Sequence, residues 1–443
     1  MCGAPGQTNA LRQDRQRRHK GAAPKWGREV ENSMSRADKL PSRLRILIWI
    51  ALLIPSHGTA QAQFQVVHSF GAPGDGVGLL DSVAVDAQGN LYGTNAQGGT
   101  YNLGTVFELS PDGDGNWTET ILYSFGTSGP QDGNSPGGPV TIGSEGVLYG
   151  VTSAGGTHNF GTAYSLTAGP GGWSETILHN FIRQEADGLL NNVVLDATGN
   201  LFGSAGRFEL SPGSSGWTFS HTCNLVRVCA GNNYANTALG PGDRLFAAGN
   251  SDGKYHVGDV YAVVPTPNGW QVGDLYDFGA YPTDGQIPGF GPLVADRAGN
   301  IYGVTSQGGS HVCGEGGCGT IYRLSRQPNG TWQETILYNF QIISAGTGFN
   351  PIGGVILDRV GNLYGTTGYG GPCGCGVVYR LSHNKNDTWT YTVLHTFMYT
   401  DGTLPYSALT FDSHGNLFGT TLGGGQYGVG VVFEISRATD GTN

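Results

Sequence analysis

Residues 86–125 read D-A-Q-G-N-L-Y-G-T-N-A-Q-G-G-T-Y-N-L-G-T-V-F-E-L-S-P-D-G-D-G-N-W-T-E-T-I-L-Y-S-F, from Asp86 to Phe125. The stretch parses into short apolar runs separated by turn residues. Asp86 opens a D-x-x-G-N turn, because an Asp side chain bonds its own downstream backbone and Gly89 supplies a positive φ. L-Y-G-T follows as one strand, a Gly-rich loop leads to G-T-V-F-E-L, and a second turn before Trp117 leads to E-T-I-L-Y-S-F. An apolar run before Asp86, Ser82-Val83-Ala84-Val85, supplies a further strand. Four strands of four to seven residues per unit are a sheet signature.

The unit recurs. Its L-Y-G aromatic returns at Tyr92, Tyr149, Phe202, Phe246, Tyr302, Tyr364 and Phe418, a step of about 54 residues, close to the ~50 of kelch-like blades. The D-x-x-G-N turn returns at Asp196, Asp296, Asp358 and Asp412. Fourth strands end at Phe125, Phe181, Phe278, Phe340 and Phe397, with a degenerate one near Trp217 to Cys223. The seventh unit stops after its third strand, Val431-Val432-Phe433-Glu434-Ile435. The missing pattern lies at the other end, in Phe64-Gln65-Val66-Val67-His68-Ser69-Phe70. The expected fold is therefore all-β: a seven-bladed β-propeller of four-stranded antiparallel blades over residues 64–437. The N-terminal strand completes the last blade, so no sheet edge is left open.

The 443 residues include 77 Gly and 21 Pro, and 13% are charged. That composition excludes helical bundles, and 10% aromatic content argues against long disorder. Residues 1–62 hold 11 Lys/Arg and 4 Asp/Glu, leaving 12 basic against 29 acidic side chains. Arg43 and Arg45 precede an apolar run from Ile46 to Ile54 that is too short to span a bilayer. Small residues then lead to Ala60-Gln61-Ala62. Basic flank, apolar run and A-x-A describe a signal peptide cut after Ala62, with Met34 as an alternative start. Residues 438–443 form a polar tail. Secreted, periplasmic or cell-surface placement follows, with no transmembrane span in the mature chain, which is expected to be a monomer. Its acidity disfavours nucleic acid as a partner. A glycan or a cell-surface protein is the expected partner class.

Six cysteines outside the leader fall in close pairs, Cys223/Cys229, Cys313/Cys318 and Cys373/Cys375. An even count in an exported chain favours disulfides over metal. The short spacing of Cys373 and Cys375 leaves free thiols open there.

The pattern L-Y-G-T-x-x-x-G-G-x-x-x-x-G-T-V-F resembles the Gloeo/Verruco (GloVer) repeat of exported bacterial proteins. It is close at Leu91–Phe107, Leu148–Tyr164, Ile301–Tyr322, Leu363–Tyr379 and Leu417–Phe433. Units three and four depart from it, with Ala205-Gly206 in place of the Gly-rich loop and Asp243-Arg244-Leu245-Phe246-Ala247 in place of G-N-L-Y-G. The resemblance implies tandem repeats and export, and carries no activity.

Candidate ligand-contacting positions lie in loops. An Asp-Gly recurs in the links between units at Asp75, Asp132, Asp187, Asp284 and Asp401. Such carboxylates could ring a channel and hold Ca²⁺ or sugar hydroxyls, or each could cap its own turn. His158, His256 and His311 fall in the loops between second and third strands. His68, His179 and His395 share a position with Tyr123, Tyr276 and Tyr338, which marks it as a packing position. No Ser/His/Asp spacing, G-x-S-x-G or H-E-x-x-H motif is present. The expected function is a non-enzymatic binding or structural module with no catalytic residue, metal or cofactor. The alternatives are a polysaccharide lyase or glycosidase using the link acids, and a calcium-dependent adhesion module.

Overall fold

In the computed structural model, residues 63–79, 81–185, 192–203, 207–222, 237–240, 242–251, 253–289, 291–313, 316–342 and 346–437 are described. The expected leader, residues 1–62, lies outside them. Blade 1 comprises strands Ala84–Val85, Leu91–Asn95, Thr105–Pro111 and Trp117–Ser124, paired in chain order. Blade 2 starts at Gly133–Ile142, blade 3 at Val193–Leu195, blade 4 at Ala238–Gly240, blade 5 at Val294–Ala295 and blade 6 at Val355–Leu357. Each then runs through three more antiparallel strands. Blade 7 takes Thr410–Phe411, Leu417–Thr420 and Val431–Ser436, and its outer strand is Gln63–Ser69 from the other end of the chain. The register runs from Gln63 opposite Ser436 to Ser69 opposite Val431. The expected seven-bladed architecture and its closure are therefore both present.

The repeated residues have local causes. Asp86 Oδ1 accepts from the backbone N–H of Gln88 and Asn90, both at 2.9 Å, while Oδ2 accepts from Asn90 Nδ2. The Gly of L-Y-G sits directly across from an aromatic of the third strand: Gly93 opposite Phe107, Gly303 opposite Tyr322, Gly365 opposite Tyr379 and Gly419 opposite Phe433. A Cβ on Gly365 would lie 2.5 Å from the Tyr379 hydroxyl, so the ring fits only over a bare backbone. These third-strand rings are fully buried, as are Phe125, Phe181, Phe278, Phe340 and Phe397 at the ends of the outer strands. Phe125 meets the Tyr164 ring of the next blade edge to face at 5.2 Å, and Phe278 meets Tyr322 likewise at 5.0 Å. Adjacent blades are thus joined by aromatic contacts whose burial is the main adhesive term. The turn Trp side chains pack on the preceding blade's second-strand aromatic, as Trp117 does on Phe418 and Trp270 on Phe202.

Candidate functional site

The links between blades carry the recurring acids. Asp132 Oδ2 accepts from the backbone N–H of Gly126 at 2.6 Å and Ser128 at 3.1 Å, and from the Tyr123 hydroxyl at 2.8 Å. Asp284 Oδ2 does the same with Gly279 at 2.8 Å, Ala280 at 2.9 Å and the Tyr276 hydroxyl at 3.3 Å. Asp75 accepts from Gly71 and Ala72, both at 3.0 Å, with His68 Nε2 3.5 Å away. Asp401 accepts from Met398 N at 2.7 Å and faces His395 Nε2 at 3.2 Å. Each link carboxylate therefore closes its own turn and holds the Tyr or His two residues before the terminal Phe. The glycine that follows each Asp is needed for space: a Cβ on Gly133 would lie 2.5 Å from Thr152, and one on Gly285 2.5 Å from Thr305.

Asp187 lies outside the described residues. In that link Glu185 does the work: its Oε2 accepts from Ile182 N at 3.1 Å and meets His179 Nε2 at 2.9 Å. The sequence gives no Asp-Gly cue for Glu185. Only its placement after His179 and Phe181 could have found it.

A third group enters each link from the outer strand of the following blade. At three boundaries it is a glutamate: Glu119 reaches Asp75, Glu175 reaches Asp132 and Glu334 reaches Asp284. At three others it is an aromatic ring stacked on the Tyr or His. Phe219 stacks on His179 at 4.4 Å, Tyr391 on Tyr338 at 4.4 Å, and Phe64 on His395 at 3.6 Å. The position thus alternates between a carboxyl pair and a ring pair, both of which fill the same gap between blades. The boundary between blades 3 and 4 passes through residues 223–236, outside those described.

Two carboxyls in contact cannot both ionise cheaply. Burial, together with the neighbouring Asp75, pushes Glu119 up to about 9. Burial and Asp132 push Glu175 to about 8, and burial and Asp284 push Glu334 to about 9. At neutral pH the glutamate of each pair keeps its proton. Asp75 stays below its ordinary value. Burial alone would raise it, but the Glu119 hydrogen bond and the N–H groups of Ala72 and Gly71 outweigh that. His68 is held below its ordinary value by burial, against the pull of Asp75.

His68, Asp75 and Glu119 bring three donor atoms within 4.8 Å of one another. One nitrogen and two carboxylates fall short of the roughly six to eight oxygens of a calcium site. His158, His256 and His311 are exposed in loops of blades 2, 4 and 5. None makes a side-chain hydrogen bond or ion pair among the described residues. Cys313–Cys318 and Cys373–Cys375 are disulfide-bonded. Cys223 and Cys229 lie outside the described residues. Among the described residues no helix is long and apolar enough to cross a membrane.

A cavity lies elsewhere, between blades 4 and 5 beside their hairpins. It measures about 240 Å³ and is lined by Arg244, Phe246, Ala262, Gly273, Arg326 and Trp332, among others. None of these was singled out from the sequence as a ligand contact.

The family model described as the Gloeobacter/Verrucomicrobia repeat matches residues 54–207 and 311–443. The chain belongs to this repeat family. The unmatched middle, residues 208–310, begins in blade 3 and includes all of blade 4, where the L-Y-G pattern fades and yet the four-stranded blade persists. No curated protein matches the sequence. The extracellular domain of a candidate hybrid two-component system from B. thetaiotaomicron is similar in structure, with a TM-score of 0.51 at 12% identity over 84% of this chain and 39% of that one. A candidate 6-phosphogluconolactonase from Bacteroides uniformis aligns at 15% identity over 76% of this chain and 89% of that one, with a TM-score of 0.48. At such identities the likeness concerns the fold alone.

Proposed function

We propose that this repeat protein is an exported, non-catalytic propeller that presents a binding surface on a rigid ring. The observation that supports this most is the use made of the recurring acids. Asp75, Asp132, Asp284 and Asp401 each accept hydrogen bonds from their own turn, and three of them share a proton with the next blade's glutamate. A general acid or nucleophile must meet substrate with its reactive oxygen; here Oδ2 of Asp132 and of Asp284 is committed to backbone donors, and their Oδ1 atoms are buried out of reach of solvent. Export is supported by the leader-like pattern of residues 1–62 and by two disulfides, which persist in oxidising compartments. The expected partner class is a glycan or a surface protein.

The test is a panel of neutral and acidic polysaccharides, assayed for turnover and, on an array with and without Ca²⁺, for binding. Retention of glycans without release of products is expected. Hydrolysis or elimination that disappears in Asp132→Asn or Asp284→Asn would overturn the proposal and restore a lyase or glycosidase. Binding that requires Ca²⁺ would favour the adhesion module.

A further inference from the structure

The cavity between blades 4 and 5 exists because blade 4 lacks two side chains that other blades have. In the middle of the third strand, opposite the L-Y-G aromatic, the blades carry Glu108, Ser165, Glu209, Ala262, Arg323, Arg380 and Glu434. The residue facing that position on the outer strand is Thr120, Thr176, Ser220, Gly273, Thr335, Thr392 or Gln65. Only blade 4 combines Ala with Gly. A Cβ on Gly273 would meet nothing within 4 Å.

Blade 4 also lacks the acid that accepts from the turn Trp one boundary earlier. One boundary earlier, Trp270 Nε1 donates to Glu209 Oε2 at 3.1 Å. Trp332 stands at the equivalent turn of blade 5, and the residue in the place of Glu209 is Ala262. Trp332 Nε1 has no hydrogen-bond acceptor among the described residues.

Two cations flank the opening. Arg244 begins the second strand of blade 4, where most other blades have the Asn of the D-x-x-G-N turn. Arg326 ends the third strand of blade 5. Both are exposed, and neither makes an ion pair or hydrogen bond among the described residues. With only 12 Lys/Arg against 29 Asp/Glu beyond residue 62, two unpaired guanidinium groups beside one cleft are a local reversal of sign.

We propose that this cleft binds a carboxylate carried on a six-membered ring. The guanidinium groups and the indole N–H of Trp332 would receive the carboxylate, and Phe246 and Trp332 would face the ring. The volume is below the roughly 300–1,000 Å³ of drug-sized sites, which suits a single ring or one residue of a chain. Uronate sugars and aromatic acids share this chemistry. The proposal rests on the binding-module reading and names its site and ligand class.

Isothermal titration of the mature chain with trigalacturonate, benzoate and a neutral galactose trimer tests it. Binding of trigalacturonate or benzoate, but not of the neutral trimer, is expected, and the ligand that binds identifies the source. Arg244→Gln and Arg326→Gln should each weaken it about tenfold, the loss of one charge-assisted contact. Gly273→Thr and Ala262→Glu, which restore residues that other blades tolerate, should abolish it while leaving the melting temperature unchanged. Binding of neither anion, equal binding of the neutral trimer, or full affinity in Gly273→Thr would each overturn the proposal. In the last case binding at another place still upholds the module reading. Turnover of trigalacturonate would instead overturn the module reading, whatever Gly273→Thr does.

Discussion

The three carboxyl pairs make stability depend on pH in a definite direction. Glu334 is pushed from the ordinary 4.5 to about 9 in the folded chain by burial and by Asp284. A raised carboxyl value means that folding takes up a proton. That contribution is complete below pH 4.5 and is lost as pH rises through 9. Between pH 5 and pH 8 one such site can remove at most about 4 kcal/mol. Water reaching the edge of the link reduces this to about 1–2 kcal/mol. With Glu119 and Glu175 behaving alike, the three sites together remove roughly 3–6 kcal/mol. At the usual unfolding entropy per residue, a ring of this size loses about 1 °C of melting temperature per kcal/mol. The triple variant Glu119→Gln, Glu175→Gln, Glu334→Gln replaces each shared proton with an amide N–H that still donates to the Asp but does not titrate. Scanning calorimetry of parent and variant at pH 5 and pH 8 should show the parent losing about 3–6 °C more than the variant. At pH 8 the variant should be the more stable. An equal loss in both proteins, or a variant less stable than the parent at pH 8, would refute the shared-proton account.

Further outcomes follow from the same geometry. Asp132→Ala leaves Gly126 N and Ser128 N without their acceptor and takes one of three partners from the Tyr123 hydroxyl, which keeps Ser128 Oγ and Glu175 Oε2. Denaturant unfolding should register a loss of about 2–4 kcal/mol, and a loss below about 0.5 kcal/mol would show the carboxylate free for other uses. Gly365→Ala drives a methyl into the Tyr379 ring and should cost about 1–3 kcal/mol, while Gly273→Ala, with open space around it, should be nearly neutral in the same assay. Phe64→Ala removes the ring stacked on His395 and should cost about 3–5 kcal/mol. A neutral result would mean that the N-terminal strand closes the ring without holding blade 6.

The architecture was legible because each blade repeats the same chemistry. The Asp86-type turn, the glycine under the third-strand ring and the terminal Phe all act within one blade or across one strand pair. A residue pattern with a period of about 54 therefore records them. The unpaired third strand Val431–Ser436 and its match at Gln63–Ser69 exposed the closure for the same reason. The boundaries were less legible. Glu119, Phe219 and Phe64 occupy equivalent places and fill the same gap, yet one does so with a shared proton and the others with a stacked ring. Sequence shows each as part of an outer strand and gives no sign that it faces a link in the neighbouring blade. The cleft was invisible for the opposite reason. It is built from small residues, Ala262 and Gly273, whose importance lies in what they leave empty, and an Ala or Gly inside a strand carries no chemical signature of a site.

The strand Gln63–Ser69 joins both claims, because Phe64 stacks on the His395 of blade 6 while His68 faces Asp75 and Glu119 at the entry to blade 1. Amide hydrogen exchange of the protein, followed by mass spectrometry at neutral pH, reads it directly. Peptides covering 63–69 should exchange as slowly as those covering 431–436. Exchange of the first segment within seconds, with the second still protected, would mean an open ring and boundaries that do not depend on this strand.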